Sequence, residues 1–109
     1  MSRPLGILEE GKMKKIHKDC IKKYIELIGQ YDSGDIDASA FEVLYIRKFK
    51  RESIDLPKDV FEELDRLFGD VDAYSPDDRD RVIGSIDEGA LRMSAKRTLS
   101  ALRLVCGIT

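Results

Sequence analysis

The chain of 109 residues has no tryptophan, one histidine, two cysteines and three prolines. His17 has no cysteine or histidine at ligand spacing, so a zinc-type site is not predicted. Cys20 and Cys106 lie far apart, outside any metal or redox motif, and we expect both as thiols packed like small apolar side chains. No apolar run of about 18 residues is present, so no membrane-spanning helix is predicted. With no signal or transit pattern at the N-terminus, the sequence predicts a cytoplasmic protein. No metal or cofactor is predicted.

Catalytic patterns are also scarce. The sequence has no glycine-rich loop that would cradle a phosphate, and one histidine leaves no convincing nucleophile–histidine set. Acidic neighbours such as Glu62 and Glu63 are predicted on the solvated outer face of a helix, where nothing would separate their pKa values for acid–base work. The sequence therefore predicts no catalytic residue and no enzyme.

The composition favours one helical domain. Hydrophobic residues make up 42% of the chain and charged residues 37%, while glycine and proline are too few for a loop-rich or all-β protein. This length suits a single core, so we expect one domain over residues 1–109, with residues 1–11 as a loosely ordered arm.

Apolar residues recur at steps of three and four in four segments. The pattern predicts helices from Met13 to about Tyr31, over 38–50, from about Pro57 in the first turn to near Asp72, and from about 88 to Gly107. Asp37 and Asp87 are predicted N-caps, with a Ser39–Glu42 capping box as an alternative for the second helix. Gly34 and Gly107 are predicted C-terminal stops. Four helices with short connections predict an all-α, antiparallel four-helix bundle. Only residues 52–57 are compatible with an extended segment.

Charge is unevenly distributed along the chain. Between positions 55 and 80, ten acidic and three basic residues give a net charge of −7. Such a segment attracts a cationic partner and repels nucleic acid. The lysines between 12 and 23 surround their predicted helix instead of forming a stripe, so we interpret them as a solvated surface and not as a nucleic-acid site.

Three segments carry a resemblance to a known family: "YIELIGQYDSGDIDASAFEVLYIRKFK" (24–50), "LPKDVFEELDRLFGDVDAYSPD" (56–77) and "IDEGALR" (86–92). Together they resemble the colicin D immunity protein family, bacterial self-protective proteins also found with contact-dependent growth-inhibition toxins. The resemblance implies a four-helix bundle that binds a cognate toxin domain in a 1:1 heterodimer. It also implies that the toxin is a tRNA-cleaving nuclease, covered by an acidic face of the inhibitor, with no direct nucleic-acid or membrane partner.

The resemblance and the charge pattern place the toxin-binding surface on the third predicted helix and the connection after it. Asp87 and Glu88 lie nearby, although Asp87 already serves as a cap. Tyr74 is either an anchor for the partner or a packing residue on Phe68. A different class of function also remains open, a small helical adaptor or regulator acting through homo-oligomerisation. The predicted toxin-binding residues are Glu62, Glu63, Asp65, Asp70, Asp72, Tyr74, Asp77 and Asp78.

Overall fold

The computed structural model describes residues 14–76 and 84–107, and these form four helices. The helices are α1 (Lys15–Ser33), α2 (Ala38–Lys50), α3 (Lys58–Ala73) and α4 (Glu88–Cys106). Helix α1 packs on α2 and α4, and α3 packs on the same two helices, so the four form a closed square. The predicted all-α, antiparallel four-helix bundle is confirmed.

Local signals set the helix ends. Asp37 Oδ1 accepts a hydrogen bond from the backbone N–H of Ala40 at 2.8 Å, and Asp87 Oδ1 accepts one from Ala90 at 2.9 Å. Each aspartate therefore satisfies a backbone donor that its helix would leave unpaired. Helices α1 and α4 end at glycines in the left-handed region, with φ of 88° at Gly34 and 74° at Gly107. Both predicted caps and both predicted stops are confirmed.

The core is unusually aromatic on the α1–α2–α3 side. The rings of Tyr31 and Phe41 stack with centroids 4.5 Å apart, which fixes α1 against α2. The buried hydroxyl of Tyr45 donates a 2.8 Å hydrogen bond to the Leu64 carbonyl, which ties α2 to α3. The remaining fully buried large side chains are Ile21, Tyr24, Ile28, Val60, Leu67, Val71, Leu91 and Leu102.

Extended pairing occurs at a place that the sequence did not indicate. Within the described residues, the only β-bridge joins Tyr74 to Ile86, in parallel orientation. The linker at 52–57 has no such pairing. There the Glu52 carboxylate accepts hydrogen bonds from the Tyr24 hydroxyl at 2.8 Å and from the Ile54 N–H at 3.1 Å. A side chain, and not a second strand, thus provides part of the hydrogen bonding of this linker.

Candidate functional site

Helix α3 supplies five of the eight side chains predicted to bind the toxin. Its buried stripe, Val60, Leu64, Leu67 and Val71, points into the core. Residues on the opposite side of the helix must then face solvent, since neighbouring positions are rotated by about 100°. The strong amphipathic pattern of α3 therefore determines which carboxylates can meet a partner.

Three of the predicted residues form an exposed acidic face on α3, namely Glu62, Asp65 and Asp72. Glu62 has a loose ion pair with Lys58, with the nitrogen and oxygen 3.9 Å apart and both side chains largely exposed. A pair of this kind contributes little and is readily exchanged for another partner. The Phe61 ring, 48% exposed, lies beside these carboxylates and stacks on Phe49 of α2.

Two other predicted residues, Glu63 and Asp70, face α4 and share the guanidinium of Arg66. Arg66 Nη2 lies 2.7 Å from Glu63 Oε1, and Nη1 lies 3.2 Å from Asp70 Oδ2. The same guanidinium donates to Ser94 Oγ at 2.9 Å and to Thr98 Oγ1 at 2.8 Å. Thr98 donates in turn to Glu63, and Ser94 to Asp70. These five side chains, the Arg66 network, join α3 to α4.

The Arg66 network corrects one expectation. The sequence pattern places Glu63 with Glu62 on the solvated face, whereas Glu63 lies half-buried against α4. Partial burial alone would raise the pKa of the Glu63 carboxyl, but the hydrogen bond and the charge of Arg66 outweigh it and lower that pKa. Glu63 is therefore an ionised structural partner of Arg66. The sequence did carry a signal for these ion pairs, since Glu63 lies three residues before Arg66 and Asp70 four residues after it, so all three side chains share one side of the helix.

The segment between α3 and α4, residues 74–87, is called the acidic connection, and its two ends are held together at one end of the bundle. Ser75 N–H donates to the Ile86 carbonyl at 3.0 Å, and Ile86 N–H donates to the Ala73 carbonyl at 3.0 Å. This pairing brings the end of α3 close to the start of α4. Asp72 and Tyr74 therefore lie near the N-terminus of α4, while Asp77 and Asp78 lie outside the described residues.

Residues next to this pairing have identifiable structural roles. Asp87 caps α4, and Glu88 forms an ion pair with Arg92 at 3.2 Å. Tyr74 is half-buried and packs against the apolar core. Of the predicted set, the structure thus brings Glu62, Asp65, Asp72 and Tyr74 to the surface, and directs Glu63 and Asp70 into the Arg66 network.

Comparison with protein families gives a match over most of the chain. The family described as bacterial self-protective colicin-like immunity matches residues 20–102, which include α2, α3 and most of α1 and α4. The chain belongs to this family of colicin-like immunity proteins. The family predicted from the sequence is thereby confirmed. No curated protein and no solved structure matches the chain.

Membership supports an immunity role for this chain and implies a cognate toxin as its partner. Colicin-like immunity proteins are generally not enzymes. None of the helices in the described part of the chain is both long and apolar enough to span a bilayer. Within residues 14–76 and 84–107, no three His, Cys, Asp or Glu side chains are arranged to hold a metal ion.

Both cysteines of this immunity-family chain are free thiols; Cys20 is buried and Cys106 half-buried. Burial, reinforced by a hydrogen bond to Glu52, raises the pKa of the Cys20 thiol to about 11. A thiol with so high a pKa has almost no thiolate at neutral pH and is a poor nucleophile. The predicted packing role of the two cysteines is consistent with their positions.

A basic groove between α1 and α2 is the feature that sequence reasoning missed. Its volume is about 620 Å³, Leu27 and Leu44 supply apolar lining, and Lys23, Arg47 and Arg51 supply cationic groups. Among the described residues, none of these three cations forms a salt bridge. The groove combines residues from two separate stretches of sequence, and neither stretch alone indicates it.

Proposed function

We propose that this protein neutralises a cognate nuclease toxin in the cytoplasm by covering the toxin's basic active site in a 1:1 complex. The nuclease is proposed to cleave tRNA, which rests on the resemblance to the colicin D immunity family. Family membership supports the immunity role, and the acidic face of α3 supports the choice of a cationic partner. The protein itself is proposed to act without cofactor and without catalysis.

The observation that carries this proposal is the exposure of Glu62, Asp65 and Asp72 on one helix. A nuclease must bind a polyanion, so the surface around its active site is cationic. Carboxylates held on a rigid helix can occupy the positions of the substrate phosphates. Charge complementarity of this kind accelerates encounter, up to about 10⁸–10⁹ M⁻¹s⁻¹ at low salt, and also sets the register of the complex.

The structure divides the predicted acidic residues into two groups with different proposed roles. Glu62, Asp65 and Asp72 have solvent-facing carboxylates and are proposed as direct contacts, with Tyr74 as an aromatic contact at the end of α3. Glu63 and Asp70 already bind Arg66, so we expect their removal to change stability more than toxin affinity. Asp77 and Asp78 remain proposed contacts on their position in the acidic connection.

The test is charge reversal on the acidic face. We expect Asp65→Lys and Asp72→Lys each to slow association with the toxin domain encoded beside this gene by about tenfold at low salt, because a like charge then faces the cationic site. Asp19→Lys is the matched control. It makes the same change of charge on an exposed residue of α1, the helix diagonally opposite α3. Surface plasmon resonance at two salt concentrations gives the rates, and circular dichroism checks helicity.

Inhibition of tRNA cleavage is measured in parallel with binding. Tight, salt-weakened binding that stops cleavage is the expected result for the wild-type protein. If both reversals on α3 leave the affinity within twofold of the control variant, the acidic face is not the contact surface. If the wild-type protein binds and protects against a toxin that does not cut tRNA, the immunity role stands and the nuclease substrate is different.

A further inference from the structure

The outer surface of α2 carries exposed apolar side chains between two regions of opposite charge. Val43 is 53% exposed, and Leu44, which also lines the edge of the basic groove, is 38% exposed; both lie on α2. On the α1 side lies the basic groove with Arg47 and Arg51, and on the α3 side lies the acidic face together with the exposed ring of Phe61. The groove contains four cations, Lys23, Arg47, Lys48 and Arg51, against two carboxylates, Glu26 and Glu52.

We propose that this surface binds a second copy of the same chain in a symmetric dimer. A two-fold interface uses the same patch on both subunits, so the patch must be complementary to itself. An apolar centre with cations on one side and carboxylates on the other meets this requirement. The two-fold axis must run parallel to α2, because only then does each basic groove face the partner's acidic face. An axis perpendicular to α2 would place like charges together.

The heights of the charged residues along the bundle agree with this arrangement. The Tyr45 hydroxyl reaches the Leu64 carbonyl at 2.8 Å, which brings these parts of α2 and α3 together. Arg47 lies two residues beyond Tyr45, and Asp65 lies one residue beyond Leu64. Because α2 and α3 run antiparallel, these steps go in opposite directions and amount to about 4–5 Å along the bundle at 1.5 Å per residue. A two-fold axis parallel to α2 preserves this offset. The long Arg47 side chain of one copy can span it to reach Asp65 of the other, where an arginine can bind a carboxylate with two hydrogen bonds.

If the proposed function holds, the dimer has a consequence for toxin binding. The acidic face of α3 would be covered by the second copy, so dimer and toxin complex would exclude one another. The protein would be stored as a dimer and released as a monomer when the toxin competes for the same carboxylates. The dimer itself requires no toxin, so it can be tested independently of the immunity role.

Sedimentation velocity of the wild-type protein over a range of concentrations is the first measurement. We expect a monomer–dimer equilibrium that shifts towards monomer as salt rises, because the contacts at the edges of the interface are ionic. Arg103→Glu is the control, since Arg103 is an exposed residue of α4, the helix diagonally opposite α2. A wild-type protein that stays monomeric at all concentrations, or a dimer that salt does not weaken, would overturn the proposal.

Charge exchange between two variants gives the sharper test. The double variant Arg47→Glu, Arg51→Glu and the single variant Asp65→Lys should each self-associate at least about tenfold more weakly than wild type, since each places like charges across the interface. Mixed in equal amounts, the two should form a heterodimer, because both contacts then pair opposite charges. If either variant still dimerises as wild type does, or if the mixture stays monomeric, the surface of α2 is not the interface.

Discussion

Replacing Arg66 with methionine should destabilise the bundle far more than an exposed cation would. The change keeps the apolar stem of the side chain and removes the guanidinium, leaving the carboxylates of Glu63 and Asp70 without their shared partner. Breaking a fully buried ion pair costs about 3–5 kcal/mol, and an exposed pair is worth about 0–1 kcal/mol. The three charged side chains of this network are 18–35% exposed, so we expect a loss of about 2 kcal/mol.

Urea and thermal denaturation measure this cost. A loss of about 2 kcal/mol corresponds to a fall in Tm of about 8 °C for a domain of this size. Lys58→Met is the matched control on the same helix. The Lys58 side chain is 88% exposed and 3.9 Å from Glu62, so its removal should cost less than about 0.5 kcal/mol. If Arg66→Met costs no more than this control, the network does not hold α3 against α4.

The pH dependence supplies a second check on the same network. The folded-state pKa of Glu63 is lowered below its ordinary value of 4.5. Its contribution is therefore fully present above that value and is lost as pH falls through the lowered pKa. The stability difference between the wild-type protein and Arg66→Met should thus be largest near neutral pH and shrink below about pH 4. A difference that grows on acidification would refute the assignment of Glu63 as an ionised partner.

Two further predictions concern the caps and the thiols. Loss of an N-cap in Asp37→Ala or Asp87→Ala should lower the free energy of unfolding by about 1 kcal/mol, whereas Asn at either position should retain most of that stability. Urea denaturation measures the change, and an unchanged midpoint for both Ala variants would contradict the prediction. In the folded protein at pH 8, Cys20 should react with a disulfide reagent much more slowly than Cys106, because the pKa of the Cys20 thiol is raised to about 11. Once guanidinium unfolds the chain, Cys20 should react faster than it does in the folded protein. Equal rates for the two cysteines in the folded protein would show that burial and Glu52 do not suppress the Cys20 thiolate.

The helices were predictable because their signals are local. The spacing of apolar residues, the aspartates at 37 and 87 and the glycines at 34 and 107 each act within a few positions of the chain. The Arg66 network was not predictable in this way, because Arg66 contacts Ser94 and Thr98, which lie 28 and 32 residues further along the chain. No periodicity relates such partners.

The same reason explains what sequence analysis found and missed at the surface. The acidic face belongs to one helix, so its composition alone indicated it. The basic groove is shared by α1 and α2, and the pairing of Tyr74 with Ile86 joins segments on either side of the acidic connection. Both depend on how separate segments pack. Glu62 and Glu63 are neighbours in the sequence, yet Glu62 is exposed and Glu63 is half-buried. Only the contact of Glu63 with α4 distinguishes their roles.

The pairing of Tyr74 with Ile86 closes the connection between them into a loop whose two ends adjoin. Backbone hydrogen bonds between these ends hold the end of α3 beside the start of α4. Doubling the length of such a loop costs only about 0.6 kcal/mol in closure entropy. We therefore expect sequences of different length to be tolerated between these two residues, and under the proposed function this position would be a graft site for altering partner choice.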